Sequence, residues 1–158
     1  MNPFGIAING VIFDPNTAEF WNGERGSMWN YDAWSGKVDL GMDHNNAHIQ
    51  PNGAYHYHGI AGSLALPFER DKKLMGWAAD GFPIYGIFFT DPSTGTVRKA
   101  TSSYGLKAGS RGVASDSNPG GDYDGEYVDD YEYTSGSGDL DECNGMTVDG
   151  QYGYYVTE

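Results

Sequence analysis

The sequence has a single cysteine, Cys143, so no disulfide can form within the chain and no thiolate-only metal site can be assembled from it. Nor does any stretch approach the roughly 20 apolar residues of a membrane-spanning helix. The start, Met1-Asn2-Pro3-Phe4, lacks the basic and apolar regions of a secretory signal. Positive charge is scarce, with 9 Lys and Arg against 22 Asp and Glu, and none follows Arg111. A net charge of −13 would repel phosphates, which argues against nucleic acid and anionic membrane surfaces as partners. The acidic residues recurring from Asp116 to Glu158 read first as a solvated face and more sharply as a calcium site. They do not match the D-x-[DN]-x-[DN]-G-x5-E spacing of an EF-hand. Phosphate-cradling loops, G-x-S-x-G and H-E-x-x-H are all absent, and no internal repeat is evident.

Helix-building residues are scarce, whereas Gly occurs 24 times and Tyr 12 times, a balance that favours strands and turns. At 158 residues, 39% of them hydrophobic, the chain is long enough to bury a core as one domain spanning 1–158. Asn9-Gly10 between the β-branched residues of 6–13 predicts a hairpin, which Asp14-Pro15-Asn16 ends. Trp21, Trp29, Tyr31 and Trp34 suggest aromatic loops; Trp21, Trp29, Trp34 and Trp77 could line a sugar platform, with core and loop packing the favoured reading. Asp80-Gly81 marks a turn before an apolar strand over 84–89. Residues 99–107 suit a short helix except for Gly105; 127–133 suits a strand or a short acidic helix; 152–156 suits a final strand. The expected fold is mainly β: an antiparallel, β-sandwich-like single domain with long aromatic and acidic loops.

All four histidines fall between His44 and His58. His56 and His58 are two apart, so on a strand they share a face while Tyr55 and Tyr57 point the other way. Pro51-Asn52-Gly53 suits a three-residue hairpin loop, with Pro presetting the first position and Gly supplying φ > 0 at the third. That loop pairs His48 with His56 on the face that carries His58. A two-residue Asn52-Gly53 loop pairs His48 with Tyr57 instead and turns His48 to the other face. Pro51 favours the first register. Three imidazoles that converge form the ligand set of a zinc site with one position open to water, and imidazole also suits copper. His44 and Asp80 are candidates to complete the set. Asp139, Asp141, Glu142 and Cys143 form a second polar cluster, suited to an outer shell around the imidazoles or to a second ion.

At Gly53-Ala54-Tyr55-His56-Tyr57-His58-Gly59 the sequence resembles the YHYH family, named for that tetrapeptide. The likeness continues through Pro3-Phe4-Gly5-Ile6-Ala7, Asn9-Gly10-Val11, Ala18-Glu19-Phe20-Trp21, Asn46-Ala47-His48-Ile49-Gln50-Pro51-Asn52, Ala79-Asp80-Gly81-Phe82-Pro83-Ile84-Tyr85, Tyr131-Glu132-Tyr133 and the segment 136–145. The resemblance implies an address rather than an activity: extracellular, periplasmic or virion-associated. Relatives usually carry a further region before Pro3 and continue past Thr157. The resemblance therefore implies a fragment or a minimal version, with a sheet edge open to self-association.

Two functions from different classes follow. The first is transition-metal binding, zinc or copper, by His48, His56 and His58, extending to metal-assisted hydrolysis of an ester or amide with Asp80 or Glu142 as base. The second is a non-enzymatic extracellular or virion module whose aromatic loops bind a glycan or protein and whose histidines are structural.

Overall fold

The structure, a computed structural model, describes residues 3–65 and 71–157. It is mainly β, 34% strand against 6% helix, in open sandwich-like sheets, as the shortage of helix formers predicts. Two compact units emerge: the described parts of Met1–Pro15, Gly41–Ser103 and Ser135–Glu158 form one, and Asn16–Leu40 with Tyr104–Thr134 form the other. The first unit opens with β1 (Gly5–Ala7), β2 (Ile12–Phe13), β3 (Ala47–Ile49), β4 (Tyr55–Tyr57), β5 (Leu74–Ala78), β6 (Pro83–Tyr85), β7 (Phe88–Thr90) and β8 (Val97–Lys99). The second unit holds β9 (Tyr104–Leu106), β10 (Ser110–Gly112), β11 (Gly121–Asp122) and β12 (Tyr131–Tyr133). The chain then returns to the first with β13 (Gly145–Val148) and β14 (Gln151–Tyr155).

Eight strands of the first unit form one sheet in the order β13-β14-β6-β5-β1-β2-β4-β3. Neighbours are antiparallel except β2 with β4 and β6 with β14, which are parallel. Those two pairs occupy matching places on either side of the central β1–β5 pair, and the match extends to single bonds. Gly5 faces Ala78, Ile6 faces Trp77 and Ala7 faces Gly76. Ile8 N–H donates to Met75 O, and Ala79 N–H donates to Phe4 O, both at 2.9 Å. The β1–β2 and β5–β6 hairpins turn through Ile8-Asn9-Gly10 and Ala79-Asp80-Gly81, with Gly10 and Gly81 at φ +87° and +89°. In each turn the middle side chain accepts the N–H two residues on, Val11 or Phe82, at 3.2 Å.

The outer hairpins match as well. Before β3, Asp43 Oδ1 accepts the N–H of Asn45 and Ala47, and Asp43 Oδ2 accepts the Tyr55 hydroxyl at 2.6 Å. Before β13, Asp141 Oδ1 accepts the N–H of Cys143 and Gly145, and Asp141 Oδ2 accepts the Tyr152 hydroxyl at 2.9 Å. Asn46 and Asn144 take the same left-handed conformation, φ +57° and +56°. The sheet is therefore two copies of one four-strand arrangement about a pseudo-two-fold axis between β1 and β5. The expectation that the chain holds no repeat is corrected here. The repeat is hidden because the two outer hairpins differ in loop length and because long insertions separate β2 from β3 and β6 from β13.

One face of this sheet buries Ala7, Phe13, Ala47, Tyr57, Met75 and Ile84, drawing from both halves. On the opposite face a buried apolar cluster forms in the second half, where Tyr85, Phe89, Ala100, Leu140, Val148 and Tyr155 pack together. Within the second unit, Arg111 bonds the fully buried Asp130 and also Asp124, and its guanidinium lies 4.8 Å from the Tyr127 ring centroid. The segment 99–107 yields a strand, β9, paired with β12, where a helix was one expectation. The segment 127–133 takes both forms anticipated for it, a single 3-10 turn over Val128–Asp130 and then β12.

Candidate metal centre

The three-residue loop is the one that forms between β3 and β4. Gln50 N–H donates to Ala54 O at 2.9 Å, Gly53 N–H donates to Gln50 O at 2.8 Å, and Gly53 sits at φ +87°. His48 is accordingly the register partner of His56. His58, just past β4, is held by its N–H to Asn46 O at 2.8 Å. The ladder extends this row across the sheet: His48 and His56 share a face with Ile12, Ile6 and Trp77. The half-exposed Ile6 and Trp77 make the strip beside the histidines apolar.

The three imidazoles converge through their ε nitrogens. His48 Nε2 lies 3.2 Å from His56 Nε2, which lies 3.0 Å from His58 Nε2. Ring centroids are 4.6 to 5.0 Å apart. His56 is 2% exposed and His58 5%. On the far side of each ring a backbone carbonyl faces Nδ1: Ala54 O at 3.4 Å for His56 and Pro15 O at 3.3 Å for His58. A carbonyl only accepts, so the tautomer that satisfies these two contacts carries its proton on Nδ1 and leaves a lone pair on Nε2. Among the described residues, His48, His56 and His58 are the group of three or more His, Cys, Asp or Glu ligand atoms that lie within 4.8 Å of one another.

The family model described as YHYH protein matches residues 1–158. The chain belongs to the YHYH family. No curated protein and no solved structure matches it. The tetrapeptide behind the family's name is β4 with His58, so in this YHYH chain the name itself spells the alternation of core-facing tyrosines and converging histidines.

Burial pushes the His58 imidazole below its ordinary range, and the neighbouring His56 and His48 add to that, while Pro15 O and Asp14 oppose it. The folded form thus prefers neutral His58, whose unfolded reference is 6.5. The associated stability is present in full above pH 6.5 and is lost as pH falls from there through the lower folded value. Urea titrations of metal-free protein should show this loss, and His58→Gln should remove that part of the pH dependence.

The remaining candidates of the YHYH chain lie elsewhere. His44 is exposed, with Nε2 beside Asn45 Nδ2 at 3.2 Å. Asp80 sits in the β5–β6 turn, where the Tyr154 hydroxyl donates to it and holds its carboxyl below the usual range. This is the counterpart of the bond from Asn9 Nδ2 to the Tyr57 hydroxyl. Asp139 pairs with Arg98 through both oxygens at 2.7 Å. Asp141 shapes the turn before β13, within which Glu142 and the exposed Cys143 lie. None of these six residues joins the histidine group. Of the tryptophans, Trp29 is buried, whereas Trp34 and Trp77 are about half exposed.

Sequence reasoning missed Asp14, which it read only as the residue that ends a strand. Asp14 is 7% exposed and carries its backbone N–H to Tyr57 O at 2.9 Å. The available signal was alternation: Ile12 and Asp14 share a face, and that face becomes the histidine face once β2 lies parallel to β4.

Proposed function

We propose that this YHYH domain binds a transition-metal ion, zinc or copper, through Nε2 of His48, His56 and His58. The carrying observation is the pair of Nε2–Nε2 separations, 3.2 and 3.0 Å, with the Nδ1 atoms of His56 and His58 each facing a backbone carbonyl. In the tautomers that put lone pairs on these nitrogens, the pairs repel at that distance unless a cation lies between them. Metal–nitrogen bonds of about 2.05 Å put two ligand nitrogens about 2.9 Å apart at a right angle and about 3.3 Å apart at the tetrahedral angle. The observed values fall between these, as suits three ligands on one side of an ion with its other side open.

The second half of the sheet supplies an internal control. Register places Met146, Gly153 and Tyr155 where the first half has His48, His56 and His58. The features that shape the hairpin, the aspartate, the left-handed asparagine and the bonded tyrosine, recur in both halves. The histidines do not recur, so the architecture forms without them. This favours a chemical role over a structural one.

Three imidazoles leave a further coordination position for a water or a carbonyl oxygen, so ester or amide hydrolysis is the reaction class to assay. Elemental analysis of protein purified without a metal column is the test of binding. One transition-metal ion per chain supports the reading. No metal, or calcium alone, together with no zinc uptake on dialysis, overturns it.

A further inference from the structure

Asp14 is only 7% exposed and its carboxylate, whose oxygens still reach solvent, accepts no hydrogen bond from any described residue, while its own backbone is tied to β4. The parallel ladder pairs Ile12 with His56 and Phe13 with Tyr57, so one step further along it Asp14 lies beside His58. The other half displays the same step directly: Tyr85, in the Asp14 position, pairs with Tyr155, in the His58 position, with ring centroids 5.4 Å apart. There the two side chains are aromatic and pack in an apolar cluster. Here they are a carboxylate and an imidazole. A carboxylate that no donor meets, on a residue with little exposure, attracts a neighbouring cation more strongly than it would in open water, and a divalent ion held by three neutral imidazoles brings two positive charges to the same face. Each resolves the other's imbalance. Asp14 is not among the groups within mutual ligand range, which places it outside the ring of direct ligands.

Resting on the metal reading above, we propose that Asp14 is the positioning carboxylate of this centre, accepting a hydrogen bond from the water on the ion's open side, and that it thereby selects a divalent ion such as zinc over monovalent copper. Three imidazoles alone suit several metals. An anionic acceptor beside a bound water favours an ion that carries the higher charge and keeps a water. Cu(I), with one charge and a preference for soft ligands, gains little from it. The arrangement parallels the general behaviour of outer carboxylates at histidine metal sites, whose removal typically costs 10- to 100-fold in metal affinity.

The experiment is competitive chelator titration of Asp14→Asn with Zn(II) and, separately, with Cu(I) under reducing conditions. Asp14→Asn keeps the side-chain shape and removes the charge, and Asp14→Ser provides a second variant should the amide find a new partner. The expected result is a zinc affinity about 10- to 100-fold weaker, with Cu(I) affinity unchanged and the melting temperature of the metal-free protein no lower than wild type. The visible spectrum of the Co(II)-loaded protein should also shift, since the water's hydrogen bonding changes. Unchanged zinc affinity in both variants overturns the proposal. Equal losses for zinc and Cu(I) also overturn it, since Asp14 would then only support the imidazoles. Failure of the underlying metal reading is recognisable separately: wild-type protein would take up neither ion.

Discussion

Replacing His56 with alanine is expected to abolish tight zinc binding, weakening it well beyond the roughly 100-fold ceiling for an outer residue. His56 is the middle ring, making both short Nε2 contacts, so its loss leaves two imidazoles with no nitrogen between them. The effect should register in stability too. An ion at 100 times its dissociation constant stabilises the folded state by about 2.7 kcal/mol. For a chain of this size that corresponds to roughly 5–10 °C in melting temperature. Calorimetry with zinc and with chelator should show that difference in the wild type and none in His56→Ala. His44→Ala, one hairpin face away and exposed, should behave as wild type. A zinc-dependent shift that survives in His56→Ala would remove the three-histidine centre from consideration.

Alanine at Gly5 or at Gly76 should destabilise the protein by about 3 kcal/mol or more, and by similar amounts in the two cases. A β-carbon at Gly5 would run into the carbonyl oxygen of Trp77 and the α-carbon of Ala78; one at Gly76 would run into the carbonyl oxygen of Ile6 and the α-carbon of Ala7. These are the same collisions seen from either side of the pseudo-axis. Both involve backbone in the middle of the eight-stranded sheet, which cannot withdraw without separating β1 from β5. Gly105 offers the contrast, with ordinary φ and no atom near its hypothetical β-carbon, and alanine there should be close to neutral. Urea denaturation of the three variants checks both size and symmetry. Clearly unequal losses at Gly5 and Gly76 would contradict the two-fold description.

The histidine hairpin was readable because its determinants are local. Pro51, Asn52 and Gly53 set the turn, the turn sets the register, and alternation does the rest. Family membership was readable in the same stretch. The non-local facts were not. No residue near Asp14 announces that β2 will lie parallel to β4, so a carboxylate that borders the histidines looked like a strand terminator. Asp80 beside apolar residues suggested an acid that caps its turn and needs a partner; it does cap the turn, and the partner, the hydroxyl of Tyr154, lies far along the chain where no local signal names it. Asp139 and Asp141 alternate as ligands would, yet one is bound by Arg98 and the other forms a turn. In the repeat, Gly-x-Ala-x-Asn-Gly at 5–10 and Gly-x-Ala-x-Asp-Gly at 76–81 stood in plain view. The shared pattern is short and made of common turn residues, so only the bond-by-bond match of the folded halves gives it weight.

The seam between β1 and β5 is self-matching: Gly opposite Ala, a large apolar residue opposite its own counterpart, Ala opposite Gly. A protein consisting of one such half would find, in a second molecule of itself, the edge it lacks, and would close the sheet as an isologous dimer. Joining the two subunits on one backbone lifts the requirement that they stay identical. One half can then carry three converging imidazoles while its twin packs Phe89, Leu140 and Tyr155 into an apolar cluster. Division of labour between duplicated halves is thus written into the strand order itself.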